Sequence, residues 1–132
     1  MGTVGSVILV VEDNPSNMRL VADILTLHGH RVVEATTGEE ALDALKFIRP
    51  ALILMDVQLP GMDGLEVARM LRDNPVTRPI PVVALTAHAM PGDEVRAREA
   101  GCLGYIPKPI DTARFARQVS DFLSGALRAA GA

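Results

Sequence analysis

Leu52-Ile53-Leu54-Met55-Asp56-Val57-Gln58-Leu59-Pro60-Gly61-Met62-Asp63-Gly64 is the stretch on which the reading of this chain turns. Four apolar residues run directly into one carboxylate, and turn-forming residues follow within a few positions. So short an apolar run, bounded in this way, reads as a buried strand over Ala51 to Met55 that ends where the chain becomes polar. Asp56 then lies at the strand's carboxyl end, the edge at which open α/β sheets hold their ligands. Taken alone, an Asp in that place is a turn cap. Acids, a hydroxyl and a lysine elsewhere in the chain change that reading.

Four further strands are expected around it. Val7 to Val11 is β-branched and continuously apolar, as in a strand buried on both faces of a parallel sheet. Asn14 and Pro15 follow as N-cap and first helical residue, and Met18, Val21, Ala22 and Leu25 recur at helical spacing until Gly29 closes the helix. Arg31 to Ala35 is a strand with Glu34 inside it, hence an edge. Thr37 and Glu40 form a capping box for a helix carrying Ala41, Leu42 and Leu45 and stopping before Pro50. Asp63 and Glu66 repeat the pattern for a helix through Leu65, Ala68 and Leu71. Ile80 to Leu85 is the fourth strand, ended by Thr86. The helix after it, Pro91 to Ala100, has Val95 as its one large apolar residue, which makes it a candidate for motion. Gly104 to Ile106 is a second edge strand. Asp111 caps a last helix with Ile110 and Phe115 as a hydrophobic staple, continued by Val119, Phe122 and Leu123. The small residues of 127–132 predict a flexible tail beyond a domain spanning 5–126.

Strands alternating with helices predict a single-domain α/β fold: a five-stranded parallel sheet covered on both faces. With the three most apolar strands central, its order is 2-1-3-4-5 and its switch point falls between the first and third strands. The 132 residues suffice for one such domain. A net charge of −3, with 13 scattered Lys and Arg, gives no nucleic-acid footprint. No apolar run is long enough to span a bilayer and no signal peptide opens the chain, so a cytoplasmic protein is expected. The single Cys102 excludes an internal disulfide and reads as a small buried residue.

This topology delivers Glu12, Asp13 and Asp56 to one crevice. Three carboxylates so close repel one another, which calls for a raised pKa or a cation. Hard oxygen ligands suit Mg2+, held by carboxylates together with phosphate oxygens. The acidic loop after the first strand is the reverse of a phosphate-cradling loop. Thr86 and Lys108, at the ends of the fourth and fifth strands, supply the complement: a hydroxyl and a point charge. A nucleophilic carboxylate, two metal-positioning acids, a hydroxyl and an ammonium make a site for receiving a phosphoryl group on Asp56.

Glu12-Asp13-Asn14, Met55-Asp56, Leu59-Pro60 with Met62-Asp63-Gly64, Thr86-Ala87 and Lys108-Pro109, in this order and spacing, resemble the receiver domain of two-component response regulators. The likeness runs from about Val7 to Leu123, and five motifs arriving together are more specific than any one. It implies a CheY-like (βα)5 fold in which Asp56 takes a phosphoryl group from the phosphohistidine of a histidine kinase or histidine phosphotransferase. It also implies that Glu12 and Asp13 hold Mg2+ with Asp56 and the backbone carbonyl of Gln58. By the same resemblance Thr86 and Lys108 bind the phosphoryl oxygens, Tyr105 is the aromatic that turns inward when Thr86 moves, and the peptide before Pro109 is cis. Ile80 to Met90 and the Gly92-Asp93-Glu94 stretch are most similar to stand-alone cell-cycle regulators of the DivK type, and also to receivers of hybrid kinases.

The expected output is a change in the face of the fourth helix and fifth strand, offered to a protein target by a monomer or weak dimer. No output domain is expected after the last helix. Slow self-phosphorylation from small donors and slow loss of the phosphoryl group are expected rather than turnover as an enzyme. Gln58 and His88 are candidates for controlling water access to the acyl phosphate, with a plain loop histidine as the alternative for His88. An aspartyl-phosphate hydrolase would carry a second Asp where Gln58 stands. A pseudo-receiver would lack one of the acids, the hydroxyl or the lysine. A flavin binder would be opposed by the acidic first loop. His28 and His30 read as solvated turn residues.

Overall fold

The computed structural model describes residues 5–87 and 91–131. The elements alternate strictly: β1 (Val7–Val11), α1 (Pro15–Leu27), β2 (Arg31–Ala35), α2 (Gly38–Ala44), β3 (Leu52–Asp56), α3 (Gly64–Asp73), β4 (Val82–Thr86), α4 (Pro91–Glu99), β5 (Gly104–Pro107) and α5 (Phe115–Gly131). All strand pairs are parallel, in the order β2-β1-β3-β4-β5. Both edge strands are the two with polar residues or prolines in or beside them, and the sheet is of the CheY-like doubly wound kind.

Because successive side chains in a strand point to opposite faces, each central strand feeds two separate cores. Leu9, Val11, Ile53, Met55, Val82 and Ala84 pack beneath α2, α3 and α4. Ile8, Val10, Leu52, Leu54, Val83 and Leu85 pack against Met18, Val21 and Leu25 of α1 and Phe115, Val119 and Leu123 of α5. Among the described residues no helix is long and apolar enough to cross a membrane.

Several local expectations need correcting. β4 starts at Val82 rather than Ile80, because Pro81 has no N–H to give to a ladder; its carbonyl accepts from Ile53 N instead, at 2.9 Å. β3 runs one residue further than expected and takes Asp56 into the strand. Thr37 Oγ1 accepts from Glu40 N at 3.1 Å, but the Glu40 carboxylate reaches past Thr37 to Thr36, at 2.7 Å from its N and 2.9 Å from its Oγ1. α2 closes early, at Ala44, and Arg49 Nη1 donates to the carbonyls of Leu45 and Ile48 below it. Asp111 takes the Ala113 N–H on its side chain at 3.1 Å, and a tight turn intervenes before α5 begins at Phe115. α5 runs from Phe115 to Gly131. His30 is half-buried rather than solvated: its Nδ1 accepts from Ser6 N at 3.2 Å.

Candidate functional site

The crevice is built at the carboxyl ends of β1 and β3, where the strand order reverses. Glu12 continues the line of β1 by one residue, its N–H bonded to the Ala35 carbonyl at 3.0 Å. Its side chain is buried, and Oε2 accepts from Asn14 N at 3.1 Å. That bond also orders the chain entering α1, whose N-cap is Asn14. Asp13, the next residue, is exposed. Asp56 is 3% exposed, and its Oδ1 accepts the Gln58 N–H at 3.0 Å. The loop that follows folds back at once: Gly64 N donates to Val57 O at 3.0 Å, and a Cβ at Gly64 would stand 2.1 Å from the Asp56 carbonyl oxygen. Only glycine permits that approach, which fixes the start of α3 against the end of β3.

One carboxylate oxygen from each of Glu12, Asp13 and Asp56 lies within 4.8 Å of the others. Lys108 reaches the same point from the loop after β5, its backbone N–H held by the Thr86 carbonyl at 2.7 Å. Its Nζ donates to Glu12 Oε1 at 3.0 Å and to Asp56 Oδ2 at 3.1 Å. Burial pushes the Glu12 carboxyl above its usual range, against the lowering effect of the Asn14 N–H and Lys108, and the neighbouring Asp56 adds to the rise. Burial would lower Lys108, but hydrogen bonds to Glu12 and Asp56, together with their charges, outweigh it and hold the ammonium above its ordinary value. Lys108 is therefore a fixed positive charge set between two buried acids.

Thr86 is buried at the end of β4, one position beyond Leu85, the β4 partner of Asp56. Tyr105 is half-buried and packs with the core beneath α3 and α4. The bond between Lys108 and Pro109 is cis. Gln58 sits on the rim beside Asp13. His88 lies outside the described residues. The structure thus brings Glu12, Asp13, Asp56 and Lys108 into one cluster with Thr86 at its border. Gly64 and the Asn14 amide were missed as parts of the site. The signals for Gly64 were its place in the Met62-Asp63-Gly64 motif and a glycine at the first position of a helix, where side chains are normally tolerated.

The sequence model of the response regulator receiver domain matches residues 8–120. The chain belongs to the response regulator receiver family. Its receiver is 46% identical over 119 residues to the polar-differentiation response regulator DivK of Brucella anthropi, a match covering 90% of this chain and 97% of that protein. Among solved structures, the receiver domain of a signal transduction histidine kinase from Syntrophus aciditrophicus is 38% identical, with a TM-score of 0.83 and 92% of each chain covered. The receiver domain of a sensor histidine kinase from Pseudomonas aeruginosa is 35% identical, with a TM-score of 0.82, covering 91% of this chain and 98% of that one. That structure holds a magnesium ion coordinated in its active site cleft. Receiver domains are signalling domains that work through kinases and other partner proteins.

The oxygen-only set of Glu12, Asp13 and Asp56 fits a hard divalent cation of this kind. Two of the three are buried and one is open to solvent, which suits an ion that keeps several of its waters.

Proposed function

We propose that this receiver accepts a phosphoryl group on Asp56 from a phosphohistidine and passes the signal on through its α4–β5 face. The observation that carries the reading is the buried Asp56 carboxylate bridged to Glu12 by Lys108 Nζ. An Asp56 oxygen attacks phosphorus, the P–N bond to the donor imidazole breaks as the P–O bond forms, and the imidazole leaves with the electron pair of that bond. Glu12, Asp13, Asp56 and the Gln58 backbone carbonyl would hold Mg2+, which supplies positive charge to the phosphoryl oxygens. Lys108 moves from bridging two acids to pairing with the new dianion, a charge-assisted contact. Thr86 donates its hydroxyl to another phosphoryl oxygen.

Drawing Thr86 inward leaves room for Tyr105 to turn in from the half-buried position it occupies, and α4 and β5 then offer a changed face to a partner protein. The donor in this reading is a histidine kinase or histidine phosphotransferase, and the exchange takes place in the cytoplasm. The similarity to DivK response regulators supports a cell-cycle pathway. Gln58 on the rim and His88 govern how readily water reaches the acyl phosphate.

The test is intact mass after incubation with acetyl phosphate, with and without Mg2+. One phosphoryl adduct is expected, dependent on Mg2+ and absent in Asp56→Asn. Lys108→Ala should leave the fold in place and reduce the adduct at least tenfold. An intact fold with no adduct from acetyl phosphate or from a phosphorylated histidine phosphotransferase would make this a pseudo-receiver instead.

A further inference from the structure

At the edge of the sheet opposite Asp56, the carboxyl ends of α2 and α3 diverge around a groove of about 350 Å3. Leu45 and Leu71 form its buried floor, while Met70 and Val76 on its wall are 47% and 56% exposed. Helix ends normally present unpaired carbonyls, yet here the chain closes both with its own side chains. Arg49 Nη1 takes the Leu45 carbonyl at 2.7 Å, Thr77 Oγ1 donates to Leu71 O at 2.7 Å, and Arg78 Nε donates to Arg72 O at 2.8 Å. What remains for a partner is apolar side chain with a basic rim.

The rim charge runs against the rest of the molecule. Lys46 and Arg49 line the groove, and among the described residues no acid does. Those two cations belong to a chain of net charge −3, and the uncharged polar lining is Asn74 and Thr77. Lys46 pairs with Asp43 at 3.2 Å, but both side chains are largely exposed, where exchanging that partner for another acid costs little. A half-exposed methionine suits a surface that adapts to an inserted side chain.

We propose that this groove docks an amphipathic helix of a partner protein, apolar on the face that enters between α2 and α3 and acidic on its flanks. Complementarity to Lys46 and Arg49 selects the acidic flanks, and the space beside Met70 and Val76 takes one or two large apolar residues. Since the groove lies at the far edge from Asp56, docking there is indifferent to phosphorylation and serves to tether the receiver rather than to report its state.

The experiment is selection of random peptides displayed on phage against the immobilised full chain, followed by fluorescence anisotropy of the enriched sequences. Acidic amphipathic peptides are expected. Met70→Glu and Lys46→Glu should each weaken them about tenfold or more, while Asp56→Asn changes nothing. Both groove variants should still form the Asp56 adduct with acetyl phosphate, which shows that they are folded and keeps this test separate from that of phosphorylation. Enrichment of basic or neutral peptides, insensitivity to both groove variants, or no enrichment would overturn the proposal. Sedimentation of the chain with phosphatidylglycerol vesicles, lost in the same variants, would reassign the groove to a lipid surface.

Discussion

α3 and α4 lie on the same face of the sheet and have similar lengths, ten residues against nine, but they are held by different means. α3 buries Leu65, Val67, Ala68 and Leu71. α4 buries Ala97, with Ala100 just past its end, and its one large apolar residue, Val95, is 55% exposed. At about 1.5–3 kcal/mol for each large apolar side chain, α3 is anchored by packing. α4 is anchored at its carboxyl end by other contacts. Arg72 of α3 donates from Nη1 to Glu99 O at 2.7 Å, and the Arg72 stem lies under Gly101, which has φ 101. Cys102 N closes the end on Ala97 O at 2.9 Å. Two ion pairs, Arg96 with Asp93 and Arg98 with Glu94, are internal to the helix. Two helices on one core are thus held by different means, and the difference lies in a few side-chain volumes.

The comparison can be broken most directly by truncation. Leu71→Ala should lower unfolding free energy by about 3 kcal/mol in urea titrations, whereas Val95→Ala should change it by less than about 0.5 kcal/mol. Equal losses would mean that α4 is packed as firmly as α3. Gly64→Ala should cost about 2 kcal/mol by forcing the start of α3 off the Asp56 carbonyl, and should slow adduct formation on Asp56 as well. A stable variant that phosphorylates normally would show that α3 and the site are not coupled there. Arg72→Ala should cost about 1 kcal/mol globally. Its larger signature is in hydrogen exchange, with α4 amides exchanging faster and α3 amides unchanged.

The mildest probe is Cys102, whose thiol burial pushes up to about 11. Relative to an ordinary thiol at 9.0, its thiolate fraction at pH 8 is about a hundredfold lower. Alkylation should be slower by that factor and should accelerate when α4 opens. Since the folded value is the higher, the stability it contributes is present below pH 9 and is lost as pH rises toward 11. Labelling as fast as a free thiol in the folded protein would refute the closed junction beneath α4.

The strand order could be read because three unbroken apolar runs compete for the middle of a sheet and leave Glu34 and the prolines near Tyr105 for its edges. The acids of the crevice could be read because strand ends converge where the order reverses. Contacts that depend on how a long side chain turns were not legible. Lys108 meets Glu12 across 96 residues of sequence, and nothing local to either foretells that a resting ammonium bridges two acids. Nothing in the sequence around Arg72 marks its contact with Glu99 O, which exists only because α4 packs beside α3. Pro81 shifted the start of β4 by a backbone effect that an apolar pattern overrides when read alone. His30 owes its burial to Ser6, from the segment leading into β1.

The two cores that share the sheet have a consequence for how this molecule tolerates change. Neighbouring residues of one strand, such as Leu54 and Met55, belong to different packing neighbourhoods and touch through backbone alone. A rearrangement around Tyr105 and α4 therefore need not propagate to Phe115 or to α1. Insulation of this kind lets one side of a small domain vary its shape, in time or across descendants, while the other keeps the chain folded.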